Sequence, residues 1–174
     1  MSERPLRACP VAVIVLSDRA HSGERPDACI PVMKDVLARE ALAVDDERIL
    51  PNDPAALQAA LIELCDGPTR LVLTSGGTGL GPRDRTPQAT AAVLDYEVPG
   101  IAEAMRSASL RVTPAGMLSR AVAGVRNRSL IVNLPGSPKA VRETLDAIAA
   151  ALPHALELLA NAVTDVHPAG YHEA

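Results

Sequence analysis

Aromatic side chains are almost absent from this chain of 174 residues, which contains two Tyr, no Phe and no Trp. Proteins that hold single-stranded nucleic acid usually stack its bases on aromatic rings along a basic groove. Because the rings are so few and the formal net charge is −4, we expect no nucleic-acid partner. Hydrophobic residues make up 48% of the chain, which predicts a sizeable core of aliphatic side chains.

Cysteine motifs and long apolar runs are missing as well. Cys9, Cys29 and Cys65 are widely spaced and match no metal-ligand pattern, which favours free thiols in a reducing compartment. Residues 1–10 contain three charged side chains and no apolar run, so they do not resemble a signal peptide. No stretch approaches the roughly 20 apolar residues of a membrane span. We therefore expect a soluble, cytoplasmic protein that binds no membrane.

Strand-like segments alternate with helix-like segments along the chain. Apolar runs such as VAVIVL and SLIVNL are typical of parallel strands covered on both faces. Helices are expected where a capping residue precedes Pro54, Pro87 and Pro138, and Pro153 should kink or split the last helix. Strands are predicted at residues 11–16, 44–50, 70–74 and 129–134, and helices at residues 30–37, 54–64, 86–94, 101–110 and 138–163.

This alternation predicts an α/β fold, in which a single domain has a mostly parallel sheet sandwiched by helices. We place the domain at residues 10–163. A flexible N-terminus is expected at residues 1–9, and a loose C-terminal tail at residues 164–174.

The loops that begin at Ser17, Ser75 and Pro135 should share one edge of the sheet, where ligands of open α/β sheets bind. The second of these loops carries the strongest motif, TSGGTGLGPRDRTP at residues 74–87. Glycines between a buried strand and a helix point several N–H groups into one concavity, which suits phosphate. The motif has neither the Lys of a Walker loop nor the spacing of a dinucleotide fingerprint. The alternative is a glycine-rich turn without a ligand.

Asp84 is the best candidate for direct chemistry in this loop. Nucleotide phosphates arrive with Mg²⁺, which prefers one or two carboxylates together with phosphate oxygens. Asp84 is predicted to supply such a carboxylate to the metal. The alternative is a helix-capping or surface carboxylate that pairs with Arg83 or Arg85.

Four segments resemble the molybdopterin-binding family and stand in the order that the family has. Residues 71–90 contain Gly-Gly-Thr-Gly, three residues, Arg-Asp, one residue and Thr-Pro. Residues 17–27 resemble the first loop of the family's adenylyltransferases, residues 119–126 the segment before their last strand, and residues 133–141 their second glycine-containing loop. The resemblance covers about residues 11–159. The bacterial adenylyltransferase and the G domain of gephyrin are the nearest in pattern.

The resemblance implies the molybdopterin-binding domain fold, usually assembled as a homotrimer. It implies transfer of AMP from ATP to the terminal phosphate of molybdopterin during molybdenum cofactor biosynthesis, with Mg²⁺ and with release of pyrophosphate. The product then passes to a separate molybdate-insertion protein. One alternative is a molybdopterin-binding protein of the same fold that transfers no AMP, and another is an assembly module.

One position departs from the family pattern. The nearest relatives carry an acidic residue directly after a Pro at the end of the second strand, whereas here Pro51 is followed by Asn52 and Asp53. Either Asn52 serves with less charge, or Asp53 takes over, or the activity is weakened. We therefore count Asn52 and Asp53 with Asp84 as candidate catalytic residues. Asp53 is explained as well by a plain N-cap before Pro54.

The other site residues are expected to bind the nucleotide, its phosphates or the pterin. The predicted binding residues are Ser17, Asp18, Asp27, Ser75, Gly76, Gly77, Thr78, Gly79, Arg83, Ser119, Arg120, Pro135, Gly136, Ser137 and Lys139. The glycine-loop amides are expected to hold phosphate. Lys139 either opposes phosphate charge or is a solvated cation at a helix start. Ser17 and Asp18 either border the substrate or cap their own loop.

Overall fold

The computed structural model describes residues 9–160, which are built around a six-stranded sheet. The strands are β1 (Val11–Leu16), β2 (Val44–Leu50), β3 (Leu71–Ser75), β4 (Tyr96–Glu97), β5 (Ala123–Arg126) and β6 (Ser129–Leu134). Their order is β2-β1-β3-β6-β5-β4, with β2, β1, β3 and β6 parallel. β5 is antiparallel to β6, and β4 is antiparallel to β5. The expected mostly parallel sheet is confirmed.

Helices lie between the strands, as the alternation predicted. They are α1 (Asp18–His21), α2 (Cys29–Arg39), α3 (Pro54–Asp66), α4 (Thr86–Ala91), α5 (Pro99–Leu110), α6 (Pro138–Asp146) and α7 (Leu152–Ala160), with 3-10 turns at Pro114–Leu118 and Ala149–Ala151. Within residues 9–160, no helix has the length and apolarity that a membrane crossing requires. Apart from Cys9, the expected flexible N-terminus and loose tail lie outside the described residues.

Each face of the sheet carries its own apolar layer, because successive side chains of a strand point to opposite faces. Val13 of β1 belongs to the layer formed with α2, α5, α6 and α7, and its neighbour Ile14 belongs to the layer formed with α3 and α4. Burial on both faces explains why β1 and β6 are uninterrupted apolar runs. Tyr96 is exposed, so the described core is aliphatic, as predicted.

Strands β4 and β5 were not part of the predicted sheet. They are two and four residues long, which is too short for a hydrophobic period to be read from the sequence. β5 also contains Gly124, a residue type that is depleted in strands. These strands form because β6 presents an edge with unpaired backbone groups, and β5 and then β4 satisfy that edge.

Helix ends agree with the sequence in two places and differ in one. Asp53 and Ser137 are N-caps, and their side chains accept hydrogen bonds from the amides of Ala55 and Ala140 at 2.9 and 3.3 Å. Pro153 lies in the first turn of α7, so the long predicted helix is split into α6 and α7, one of the two expected outcomes.

Thr86 differs from the prediction, because it is not the cap of α4. The cap position is Arg85, whose side chain makes no capping bond. Thr86 is buried instead, and its amide donates to the carbonyl of Gly77 at 3.1 Å. This hydrogen bond therefore ties the glycine-rich loop to the first residue of α4.

A buried amide ties the end of β3 to its neighbours. Asn133 of β6 has no exposed surface, and its side-chain amide donates to the hydroxyls of Thr74 and Thr90, each at 2.9 Å. The side-chain oxygen of Asn133, Oδ1, accepts a hydrogen bond from the backbone amide of Val122 at 3.4 Å. Because β3 leads directly into the glycine-rich loop, this network sets where that loop begins.

We expect Asn133→Ala to lower the free energy of unfolding by about 2–4 kcal/mol, since two buried hydroxyls lose a partner and a small cavity forms. Urea denaturation followed by circular dichroism measures this change. Gln88→Ala is the control, because Gln88 is exposed on α4, and it should change the free energy of unfolding by no more than about 0.5 kcal/mol. Equal losses in the two variants would show that the buried network contributes nothing beyond an ordinary surface contact.

Candidate active site at the carboxyl edge of the sheet

The three loops predicted to share an edge do meet there, around a cavity of about 260 Å³. The cavity lies beyond the carboxyl ends of β1 and β3. Eight of the predicted site residues line it: Ser17, Asp27, Asn52, Ser75, Gly76, Gly77, Asp84 and Gly136. The other predicted residues are not part of this lining, although Asp53 and Arg83 line a small recess that shares Asn52 with it.

The backbone of the glycine-rich loop requires glycine at two positions. Gly76 and Gly77 have φ values of +103° and +66°, which side chains rarely adopt. A Cβ on Gly76 would lie 2.6 Å from the carbonyl oxygen of Leu16, and one on Gly77 would overlap with the hydroxyl of Thr86. The loop thus runs in direct contact with β1 on one side and with α4 on the other.

The amides of this loop are not all available to a ligand. Gly76 donates its N–H to the carbonyl of Leu134 at 3.1 Å, so it shapes the cavity wall and is not a free donor. Among residues 9–160, the amides of Gly77, Thr78 and Gly79 have no protein acceptor. Those three successive N–H groups form the part of the loop that can bind an anion.

Asp84 lies beside these amides at the far end of the loop. Its Oδ2 accepts the N–H of Gly81 at 2.9 Å, and its own amide donates to the carbonyl of Gly81 at 3.0 Å. Gly79 and Gly81 leave room for this carboxylate, because a Cβ on either would lie 3.0 or 2.8 Å from Oδ2. The loop therefore folds around Asp84 and holds it at the cavity.

Arg120 donates hydrogen bonds to three carbonyls of the glycine-rich loop. Its amide donates to the carbonyl of Thr78 at 3.0 Å, its Nε donates to Gly79 at 2.8 Å, and its guanidinium also donates to the carbonyl of Asp84. Ser119, the preceding residue, accepts the amide of Ala121 at 3.4 Å through its hydroxyl. The structure places neither residue on the cavity lining, so Arg120 acts on the loop and not at the cavity surface.

Asp18, Asn52 and Arg83 form one group although they come from three loops. The backbone and side-chain N–H groups of Asn52 donate to Asp18 at 2.9 and 3.2 Å, and Arg83 forms an ion pair with Asp18 at 2.8 Å. The hydrogen bonds from Asn52, backbone first, hold the pKa of the Asp18 carboxyl below its ordinary value, and the charge of Arg83 adds to this. Asp18 is therefore an anion with fixed partners.

The loop that begins at Pro135 is joined to the glycine-rich loop by side-chain and backbone contacts. The hydroxyl of Ser75 donates to the carbonyl of Pro135 at 2.8 Å. A Cβ on Gly136 would lie 3.3 Å from the Cα of Gly76. This close approach keeps the two loops at a fixed separation across the cavity.

Several predicted residues have local structural contacts. Asp27 accepts the amides of Cys29 and Ile30 at 3.1 and 2.8 Å, which caps the start of α2 at the cavity wall. Ser17 accepts the amide of Ala20 at 3.2 Å in the same way. The side chain of Lys139 is 80% exposed and lies 3.8 Å from Glu143, which is compatible with both of its predicted roles.

Arg25 and Cys29 also line the cavity, and sequence reasoning missed both. Arg25 lies between the predicted residues Asp18 and Asp27, and Cys29 lies two positions after Asp27. Arg25 is also a cation in a loop that was already assigned to the site. That position is the signal that could have identified it. Burial raises the pKa of the Cys29 thiol, so Cys29 contributes a neutral side chain.

Two carboxylates line the cavity, those of Asp27 and Asp84. Within the described part of the chain, no group of three His, Cys, Asp or Glu side chains is arranged to hold a metal. Asp18 is occupied by Arg83 and Asn52, and Asp53 caps α3. Both oxygens of Asp27 accept amides at the start of α2, whereas only Oδ2 of Asp84 accepts a hydrogen bond within the described residues. Asp84 therefore fits Mg²⁺ if phosphate oxygens and water complete the coordination.

Known proteins share this architecture. Residues 12–154 match the family described as a probable molybdopterin binding domain. The molybdopterin adenylyltransferase of Escherichia coli (strain K12) is 44% identical over 142 residues, which cover 79% of this chain and 72% of that protein. Gephyrin of Dictyostelium discoideum is 35% identical over 159 residues, which cover 86% of this chain and 22% of gephyrin.

Solved structures agree with the sequence match. The crystal structure of the molybdopterin biosynthesis enzyme MoaB from Thermus thermophilus has a TM-score of 0.82 and 48% identity, and the match covers 87% of this chain and 96% of that one. The resemblance inferred from the four motifs is therefore confirmed at the level of the family. The chain belongs to the molybdopterin-binding domain family of molybdenum cofactor biosynthesis.

Proposed function

We propose that this protein transfers AMP from ATP to molybdopterin and releases pyrophosphate, in the synthesis of the molybdenum cofactor. The observation that carries the proposal is a run of three amides without a protein acceptor, Gly77 to Gly79, which starts at the lining of the cavity that the carboxylate of Asp84 also lines. Relatives that cover most of the chain are named molybdopterin adenylyltransferase, which supports the same reaction.

In this reaction an oxygen of the terminal phosphate of molybdopterin attacks the α-phosphorus of ATP. A new P–O bond forms, the bond between the α-phosphorus and the bridging oxygen breaks, and pyrophosphate leaves with that oxygen and its electrons. Both reactants are anionic, so the first requirement is to lower their repulsion. The amides of Gly77, Thr78 and Gly79 do this with fixed dipoles, and Arg83 adds a positive charge nearby.

Mg²⁺ is the cofactor that this donor set fits, with Asp84 as its protein ligand. Held by Asp84, the ion would supply positive charge that offsets the charge of the phosphates. Arg120 keeps Asp84 in place through its bond to the Asp84 carbonyl. The cavity wall formed by Gly76 and Gly136 keeps the bound groups close enough to react.

The proposal includes assembly as a homotrimer in the cytoplasm. Leu110, Val112, Met117 and Leu118, at and after the end of α5, are all exposed apolar side chains, and surfaces of this kind mark protein interfaces. Cys9, Cys29 and Cys65 are free thiols, which suits a reducing compartment. The adenylylated product would pass to a separate molybdate-insertion protein.

A second candidate function is molybdopterin binding without AMP transfer. Asn52 favours it, because the residue lining the cavity at that position carries no charge. The two candidates differ in one measurement. Incubation with ATP and molybdopterin, followed by mass spectrometry, yields an adenylylated product only if the protein is the enzyme.

Asp84→Asn should lower the rate of pyrophosphate release from ATP and molybdopterin on the order of a hundred-fold, since a preorganised charge at the phosphates is lost. Asp146→Asn is the matched control, because Asp146 pairs with Arg39 on the surface at the end of α6. Its rate should equal that of the unchanged protein. Turnover by Asp84→Asn at the control rate would remove Asp84 from the mechanism.

Gly77→Ala should weaken ATP binding about ten- to a hundred-fold, because the added Cβ overlaps with Thr86 and displaces the amides. Gly23→Ala is the comparison, since Gly23 also has a positive φ of +77° but no atom within 4 Å of the added Cβ. Isothermal titration with ATP measures both. If the two variants bind ATP equally, the shape of the loop is irrelevant to the nucleotide.

A further inference from the structure

A single positively charged side chain lines the cavity. Among the described residues of this lining, Arg25 is the only cation, whereas Asp27 and Asp84 are carboxylates. Arg83 lies outside the lining and is already paired with Asp18 at 2.8 Å. Because the proposed function brings two molecules that carry phosphate to this cavity, the balance of charge on its lining depends on Arg25.

The guanidinium of Arg25 is available to a ligand. The residue is exposed, and its side chain has no hydrogen-bond or ion-pair partner within residues 9–160. A guanidinium presents its N–H groups in a fork that matches two phosphate oxygens. An arginine that held a carboxylate would have to release it before binding phosphate in this way, and Arg25 has no such partner to release.

The backbone on both sides of Arg25 is fixed. The N–H of Arg25 donates to the carbonyl of Arg19 at 3.1 Å, and the ring of Pro26 restricts the next φ. Asp27 then accepts the amides at the start of α2. The base of the Arg25 side chain is therefore held at the cavity lining, and only its charged end is left to adjust to a ligand.

Arg25 belongs to the wall that the start of α2 forms, and not to the glycine-rich loop. Burial raises the pKa of the Cys29 thiol, and the positive charge of Arg25 opposes that effect without cancelling it, so the two side chains are close to each other. The Cys29 thiol donates to the carbonyl of Gly136 at 3.7 Å. This wall therefore continues into the loop that begins at Pro135.

The first amides of α2 do not serve an anion on this wall. The N–H groups of Cys29 and Ile30 donate to Asp27 at 3.1 and 2.8 Å, and Pro31 has no N–H group. Asp27 also places a negative charge beside the cavity. Since like charges repel, a phosphate would be disfavoured here if Arg25 did not supply the opposite charge.

We propose that Arg25 binds a phosphate group of one of the two substrates, on the wall formed by the start of α2 and apart from the amides of the glycine-rich loop. The inference rests on the proposed function, because that function brings two phosphate-bearing molecules to the cavity. The phosphate belongs either to the nucleotide or to the terminal monoester of molybdopterin. The chemistry at Arg25 is the same in both cases, and binding measurements with each molecule distinguish them.

Arg25→Gln should weaken the binding of one of the two ligands about ten-fold, because a charge-assisted hydrogen bond is lost while a polar side chain remains. Arg25→Glu should weaken the same binding further, since a carboxylate repels phosphate. Isothermal titration with ATP alone, and with molybdopterin alone, measures both variants. The ligand whose affinity falls is the one that supplies the phosphate.

Arg19→Gln is the matched control. Arg19 lies in the same loop region, is exposed and loses the same charge, but it is not part of the cavity lining. Its carbonyl, which accepts the N–H of Arg25, is unchanged by the substitution. The affinities of this variant for ATP and for molybdopterin should equal those of the unchanged protein.

Three results would overturn the inference. The first is an Arg25→Gln variant that binds both ligands as tightly as the unchanged protein. The second is an equal loss of affinity in Arg25→Gln and Arg19→Gln, which indicates the overall charge of the protein and not a contact at the cavity. The third is an equal loss with both ligands, because one guanidinium in contact with one phosphate discriminates between them.

The inference and the proposed function can fail separately. Mass spectrometry of a mixture with ATP and molybdopterin reports AMP transfer, whereas the titrations report binding alone. If the unchanged protein forms no adenylylated product while Arg25→Gln still binds one ligand more weakly, only the proposed function is overturned. If the product forms and the affinities of all variants are equal, only the inference is overturned.

Discussion

The close approach of three loops at the carboxyl edge of the sheet is the constraint on which the rest of the site depends. Gly76 runs against the carbonyl of Leu16 on one side and against Gly136 on the other, and Gly77 lies on Thr86. None of these contacts leaves space for a side chain. These contacts prevent a closer approach of the loops, and the hydrogen bond from Ser75 to Pro135 opposes their separation, so Gly77 and Asp84 stay at fixed positions on the cavity lining.

Two hydrogen-bond networks maintain this arrangement, one around the buried Asn133 and one around Arg120. Asn133 joins β6, β3 and α4 in the buried layer, so the loop starts from a rigid strand. Arg120 gathers the carbonyls of Thr78, Gly79 and Asp84 at the far end. A loop rich in glycine is intrinsically mobile, and these contacts convert it into a preorganised surface, as catalysis between two anions requires.

The sequence was sufficient for the parallel strands, because they depend on local patterns, and eight of the predicted site residues line one cavity. Continuous apolar runs identify β1 and β6, and the glycine-rich motif follows β3 directly. The antiparallel edge was missed, since β4 and β5 depend on a partner strand and not on their own composition. The role of Arg120 beside the pterin stays a prediction, and its hydrogen bonds to the glycine-rich loop were not expected, because motif position does not reveal which way a side chain points. The contact between Asn52 and Asp18 spans 34 positions, so no local pattern could have indicated it.

The aliphatic core has a practical consequence for spectroscopy. With two Tyr and no Trp in 174 residues, the protein absorbs very weakly in the near ultraviolet and has no indole fluorescence. Adenine and pterin rings absorb strongly in that region. The optical signal of a complex therefore comes almost entirely from the bound small molecules, and their occupancy can be followed directly, without a label and without a protein background to subtract.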